Sequence, residues 1–168
     1  MGSRVFISIG SNLGDRTDNC RKAIEDVQRS GRVSIIRESS FYETEPWGGV
    51  VQPPFVNCVV ELSTDLPPEE LLGFLKAVEF KRGRDLSNEE RWGPRVIDLD
   101  IIFYGESVIS QKGLVIPHPH AHERAFVLAP LCEIAPDFIH PVLKERVSGL
   151  LLAVEGKGGV RRLEGKQP

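Results

Sequence analysis

The chain has 168 residues, 40% hydrophobic and 27% charged, with a formal net charge of −3. That length suffices for one domain with a sizeable core. The acidic balance speaks against a general nucleic-acid binder, which carries a basic excess, and no apolar run approaches the roughly 20 residues of a membrane span. The opening MGSRVFISIG has neither the apolar core nor the cleavage site of a secretory leader. Cys20, Cys58 and Cys132 are odd in number and set among apolar residues, as expected for reduced core thiols of a cytoplasmic protein.

In chain order, RVFISI at 4–9 predicts a first strand. Gly10 to Gly14 form a turn, and Asp15 or Thr17 can cap a helix that carries Cys20, Ala23, Ile24 and Val27 at helical spacing and stops at Gly31. Residues 32–42 predict a second strand. Residues 43–54, with three prolines and Gly48-Gly49, predict a loop, and FVNCVVELS at 55–63 a third strand. Pro67 and Pro68 open a second helix with Leu71, Leu75 and Val78 inward and Gly83 at its end. After a polar loop over 84–95 comes a strand containing Asp98. Residues 107–124 read as mostly irregular. Residues 125–135 read as partly helical, interrupted by Pro130, with a short helix near 145–153. The remainder, 155–168, is expected to be loose. The order β-α-β-β-α-β predicts a single α+β domain over 1–168 with a ferredoxin-like βαββαβ core. It implies an antiparallel sheet with its helices packed on one face, the other face free for a site, and C-terminal additions.

The most informative stretch is RWGPRVIDLDIIFYG at 91–105. On a strand, residues i and i+2 share a face about 6.6–6.8 Å apart. Asp98 and Asp100 therefore project together, and Ile97, Leu99, Ile101 and Phe103 project the other way. Two adjacent carboxylates repel and are costly to desolvate unless a cation compensates. Hard oxygen donors beside phosphates suit Mg²⁺, although a solvated polar face is the plain alternative. Arg82, Arg84, Arg91 and Arg95, with Trp92, lie just upstream and offer the planar fork that fits phosphate. Acidic pair plus arginine cluster is what polyphosphate transfer requires. On the third strand, Phe55 and Asn57 share a face, an aromatic surface beside an amide that can read the edge of a planar heterocycle.

Two signals are weaker. Gly10-Ser11-Asn12-Leu13-Gly14 lies where a phosphate loop would, but it lacks the following Lys-Ser/Thr and does not fit G-x-G-x-x-G. It reads as a tight turn in which Gly10 lets a ligand approach the backbone. His118, His120 and His122 could suggest zinc, yet Pro117 and Pro119 break the strand that would align them. A single histidine on a ligand phosphate is the better reading.

Together these residues resemble the 6-hydroxymethyl-7,8-dihydropterin pyrophosphokinase family of folate biosynthesis. RWGPRVIDLDII at 91–102 carries the resemblance, supported by SIGSNLGD at 8–15, FYETEP at 41–46, QPPFVN at 52–57, PHPHAHERAFVL at 117–128 and PLCEIAP at 130–136. The resemblance implies transfer of the β,γ-pyrophosphoryl group of ATP to the pterin hydroxymethyl group, giving the pterin diphosphate and AMP. It implies that Asp98 and Asp100 hold two Mg²⁺ ions and act with Arg84 and Arg95 as catalytic groups. Phe55 and Phe126 would sandwich the pterin, Asn57 would read its edge, and Gly10, Thr44 and Trp47 would complete that subsite, the last two through their backbone. Glu79, Arg84, Arg91, Trp92, Arg95, Ile101, His118 and Arg124 would contact ATP, and loops 43–54 and 84–94 would act as lids. The partners are then ATP and the pterin, with no nucleic acid and no membrane, in a cytoplasmic monomer. The lid stretch Asp85-Leu86-Ser87-Asn88-Glu89-Glu90 is acidic where family members often carry a basic residue. Gly113 likewise stands where a basic side chain is common, beside Lys112. The alternatives are a metal-dependent phosphohydrolase built on His118, His120 and His122, and a non-catalytic binding module.

Overall fold

Every second residue of SRVFISIGS is apolar or small, and the segment forms strand β1 (Ser3–Ser11). Val5, Ile7 and Ile9 face one side of the sheet, and Phe6 faces the other. The computed structural model describes residues 2–44, 51–84, 95–155 and 159–164. After β1, Asp15 rather than Thr17 caps helix α1 (Arg16–Arg29), its carboxylate accepting from the Asp18 N–H at 3.1 Å. Strands β2 (Val33–Glu38) and β3 (Tyr42–Thr44) both pair with β4 (Phe55–Thr64). The expected strand over 32–42 is thus two pieces, parted at Ser39 and Ser40. There the Ser39 hydroxyl accepts from the Val59 N–H, and Ser40 donates twice to Glu133. Helix α2 (Pro68–Lys81) buries Leu71, Leu75, Val78 and Glu79.

Strand β5 (Asp98–Tyr104) completes the sheet beside β1, in the order β5-β1-β4-β3 with a short strand at Val160–Arg162 on the β3 edge and β2 also on β4, all pairings antiparallel. This is the ferredoxin-like α+β arrangement. The Asp98 strand carries one correction. Phe6 lies opposite Phe103 and Ile7 opposite Ile101, so Ile102 is an inserted residue that resets the alternation. Phe103 therefore shares the core of Phe6 and Ile102, while Leu99, Ile101 and Tyr104 pack on the other face.

The sheet is covered on both faces, not one. Helices α1 and α2 lie over the Val5–Ile7–Ile9 face. Helices α3 (Ala125–Ile134) and α4 (Val147–Val154) cover part of the opposite face, around Phe6, Val59 and Phe103. Pro130 does not interrupt α3. Val127, Leu128, Leu131 and Ile134 are buried around it, and their packing outweighs the lost donor. Residues 107–124, expected irregular, contain the hairpin β6 (Ile109–Gln111) and β7 (Leu114–Ile116), turned by Gly113 at φ +83°, and a 3₁₀ turn at Ala121–Glu123. The tail, expected loose, supplies edge strand β8 (Val160–Arg162) against β3. Among the described residues no helix is long and apolar enough to cross a membrane.

Candidate active site

Where α3 stops covering the second face, the sheet floors a cavity of about 520 Å³. The outward residues of β1 change along the strand from Phe6, in the core, to Ser8 and Gly10, on the cavity. Strand β4 likewise changes from Val59 to Asn57 and Phe55, and β5 from Phe103 to Ile102, Asp100 and Asp98. Alternation thus delivers the polar residues to one place. The start of α3 adds Arg124 and Phe126, α2 and the residues after it add Glu79 and Arg84, and the chain at 95 and 118–120 adds Arg95, His118 and His120.

The aromatic end is preorganised. Phe55 and Phe126 both line the cavity, with the Arg124 guanidinium 5.6 Å from the Phe126 ring centre. Asn57, 4% exposed, donates through Nδ2 to Thr44 Oγ1 at 2.9 Å. The Thr44 side chain therefore orients the amide, beyond the backbone role expected of it. Gly10 is required by that amide: a methyl group there would sit 2.5 Å from Asn57 Oδ1.

The acidic end gathers several ionisable groups in a buried place. Glu79 Oε1 accepts from the Leu99 N–H at 3.0 Å, and Oε2 pairs with Arg84. Arg84 Nη1 also pairs with Asp98 Oδ1 at 2.7 Å. Burial pushes the Glu79 carboxyl up to about 7, against the Leu99 N–H, which favours the carboxylate. Burial also pushes Asp100 up to about 8, helped by the charges of Asp98 and Glu79 and opposed by Arg124 and Arg84. Burial, followed by the Arg124 charge, holds His118 down to about 4, so that imidazole is neutral near pH 7. Burial lowers Arg124 from its ordinary value.

Ile101 lies on the opposite face of β5 and lines a smaller adjoining cavity of about 250 Å³, which shares Leu72, Asp100, His118 and Pro119 with the main one. Arg82 does not join the phosphate-type arginines at the cavity: its Nε binds Asp26 of α1 at 2.5 Å. The three histidines do not converge. His118 Nδ1 accepts from the His120 N–H, whereas the His122 ring stands 6.2 Å from that of His140. Among the described residues no group of three His, Cys, Asp or Glu side chains forms a metal site. Trp47, Arg91, Trp92, the acidic stretch 85–90 and the greater part of both expected lids lie outside the described residues. The sequence reading passed over Lys76 and Leu72, which line the cavity from α2. Leu72, Lys76 and Glu79 follow one another at spacings of 4 and 3 residues, which places all three on one helical face, a signal present in the sequence.

A family model described as 7,8-dihydro-6-hydroxymethylpterin-pyrophosphokinase (HPPK) matches residues 6–136. A Pseudomonas aeruginosa protein named 2-amino-4-hydroxy-6-hydroxymethyldihydropteridine pyrophosphokinase is 39% identical over 165 residues, covering 98% of this chain and 99% of its own. A Bacillus subtilis protein of the same name is 42% identical over 134 residues, covering 80% and 79%. A folic acid synthesis protein of Pneumocystis carinii is 44% identical over 138 residues, and the match spans 82% of this chain but 18% of that longer protein. Among solved structures, a Plasmodium falciparum HPPK-DHPS triple mutant superposes with a TM-score of 0.74 at 17% identity, over 94% of this chain and 46% of that one, a likeness of fold.

Proposed function

The chain belongs to the 7,8-dihydro-6-hydroxymethylpterin-pyrophosphokinase family, and from that premise we propose how its residues divide the reaction. It transfers the pyrophosphoryl group of ATP to the hydroxymethyl group of 6-hydroxymethyl-7,8-dihydropterin in folate biosynthesis, as an ATP-dependent diphosphotransferase. The observation that carries the assignment of roles is the shared cavity. It holds the Phe55/Phe126 and Asn57 end and the Asp98/Asp100 and arginine end within one space of about 520 Å³.

At the first end the pterin ring lies between Phe55 and Phe126, and Asn57, aimed by Thr44 over Gly10, offers its amide to the polar edge. At the second end the donor set suits a hard divalent cation: paired carboxyl groups on one face of β5, with Asp100 raised to about 8 by burial and by the charges of Asp98 and Glu79. Asp98 and Asp100 would hold Mg²⁺, two ions with ATP, which when bound neutralises polyphosphate charge. Arg84 and Arg95 bind and orient the phosphate chain, and Arg124 and neutral His118 add contacts on the same side. Glu79 fixes Arg84 and the β5 backbone relative to each other. Ile101 and Leu72 supply apolar surface in the adjoining smaller cavity for the base. This reading has the chain act as a monomeric single domain in the cytoplasm, on ATP and the pterin, without nucleic acid or membrane.

Product analysis after mixing the protein with ATP, Mg²⁺ and the pterin tests it. AMP formed in step with a pterin diphosphate is the expected result. ADP would mean transfer of one phosphate and a different seating of ATP on the arginines.

A further inference from the structure

The Gly10–Gly14 turn failed as a phosphate loop, yet it contains one of the most fully engaged polar side chains of the molecule. Asn12, at the end of β1, is 1% exposed. Its Nδ2 donates to Gln52 Oε1 at 2.7 Å and to the Pro53 carbonyl at 3.1 Å. Its Oδ1 accepts from the Arg95 N–H at 2.6 Å, and its own N–H donates to the Arg95 carbonyl at 3.0 Å. One side chain thus ties together two segments distant in sequence. The first, 52–53, leads directly into Phe55 at the aromatic end, and Arg16 holds the next carbonyl, that of Pro54, at 2.8 Å. The second, Arg95, lies three residues before Asp98 and lines the cavity beside it. Asn19 braces the turn from behind, its Nδ2 donating to Ser11 Oγ and to the Leu13 carbonyl.

We propose that Asn12 is a positioning residue that couples the two halves of the cavity, so that seating of the nucleotide side sets the wall that receives the pterin. The inference rests on the substrate reading given above. Its physical basis is the two-handed amide. Asn12 holds the Arg95 backbone at both its N–H and its carbonyl, so a shift of that backbone as the guanidinium seats on a phosphate chain is carried through Oδ1 to Asn12, and through Nδ2 to residues 52–53. An amide buried this completely cannot release one side without leaving a polar group unmet. Coupling of this kind is reciprocal: whatever factor the nucleotide adds to pterin affinity, the pterin adds to nucleotide affinity.

The test is calorimetric titration of the full chain with 6-hydroxymethyl-7,8-dihydropterin, with and without Mg²⁺ and a non-hydrolysable ATP analogue. It is run on wild type, Asn12→Ala and Gln52→Ala, with an unfolding temperature for each. The wild type is expected to bind pterin about tenfold more tightly when the analogue is present, within the usual range of coupling between sites. In Asn12→Ala that ratio should fall to within about twofold of unity, and in Gln52→Ala, which removes one of the two bonds on the 52–53 side and leaves the one to the Pro53 carbonyl, to an intermediate value. A purely structural role would lower the unfolding temperature and leave the ratio in place. A folded Asn12→Ala with the wild-type ratio overturns the inference. If Asn12→Ala does not fold, a wild-type ratio in Gln52→Ala overturns it instead. A wild type that binds both ligands with a ratio of one overturns the coupling alone, whereas a wild type that binds neither overturns the substrate reading and the coupling with it.

Discussion

The two faces of the sheet are built from the same strands and obey opposite rules. On the α1/α2 face, Val5, Ile7, Ile9, Val56, Leu62, Leu99 and Ile101 meet Leu71, Leu75 and Val78 in a closed apolar core. On the other face, the register that buries Phe6, Val59 and Phe103 under α3 and α4 presents Ser8, Asn57, Asp98 and Asp100 to a cavity one or two positions further along. The first face takes its stability from burial. The open end of the second gives stability up near neutral pH, by burying carboxyl groups that the unfolded chain would ionise. Substitutions should therefore separate: stability without chemistry on the first face, chemistry with a gain in stability at the open end of the second.

Asp100→Asn should show the largest effect and break the comparison most directly. It is expected to cost about 3–4 kcal/mol of transition-state stabilisation, the magnitude of removing one positioned electrostatic group. The same variant should stabilise the free protein near neutral pH. The folded Asp100 carboxyl stands near 8 against its ordinary 3.8. Between those values the native state keeps a proton that the unfolded chain has released. Stability is therefore undiminished below about pH 4 and falls as pH rises toward 8. Asparagine has no such proton, so melting temperature against pH should slope down more steeply in the wild type than in the variant. Parallel slopes would refute the burial of Asp100, and near-normal turnover at ordinary Mg²⁺ would refute its role.

Leu75→Ala addresses the opposite face. Leu75 is fully buried, and truncation should cost about 3 kcal/mol through lost burial and a residual cavity. For a chain of this size that lowers the melting temperature by roughly 6–12 °C. Turnover per folded molecule should not change, because the closed core holds α2 through several other side chains. A reduced kcat in fully folded variant would show that the core tunes Glu79 and Arg84, and that the faces are less separate than their compositions indicate.

This separation was legible in the sequence where it depends on local period and illegible where it depends on pairing. Alternation placed Asp98 with Asp100 and Phe55 with Asn57, and the family motifs added Phe126, His118 and Arg124 from elements whose meeting no period encodes. Phe103 was put on the wrong face because the bulge at Ile102 is imposed by register with β1, a long-range fact. The β6–β7 hairpin has three-residue strands, too short for a period to register, and β8 exists only because β3 offers it an edge. Arg82 and Arg84 are indistinguishable by type. Asp26, 56 residues away in sequence, takes the first, and Glu79 with Asp98 takes the second.

Phe55→Ala should sharpen the contrast within the cavity. Loss of one ring of the pair is expected to weaken pterin binding by about 1–3 kcal/mol, by the scale of aromatic stacking on a planar base. Binding of an ATP analogue without pterin should be unchanged, since Phe55 stands on β4, with β1 between it and the Asp98 strand. Equal losses for both ligands in calorimetry would mean that Phe55 shapes the whole cavity, not its pterin end.

The smallest expected effect tests where the boundary between the faces is held. Asp15 caps α1 at the turn that joins the cavity end of β1 to the helix on the opposite face. Asp15→Ala should cost about 1 kcal/mol of stability, as loss of a helix cap does. Its effect on pterin affinity should be negligible. The reason is local: the turn between Ser11 and Asp15 is fixed independently by Asn12, through residues 52, 53 and 95, and by Asn19, through Ser11 and Leu13. The cap serves the helix, and the asparagines serve the cavity. A pterin affinity that falls in proportion to the lost stability would show instead that α1 must be fully wound for Asn12 to reach its partners, and would move the boundary from the turn into the helix.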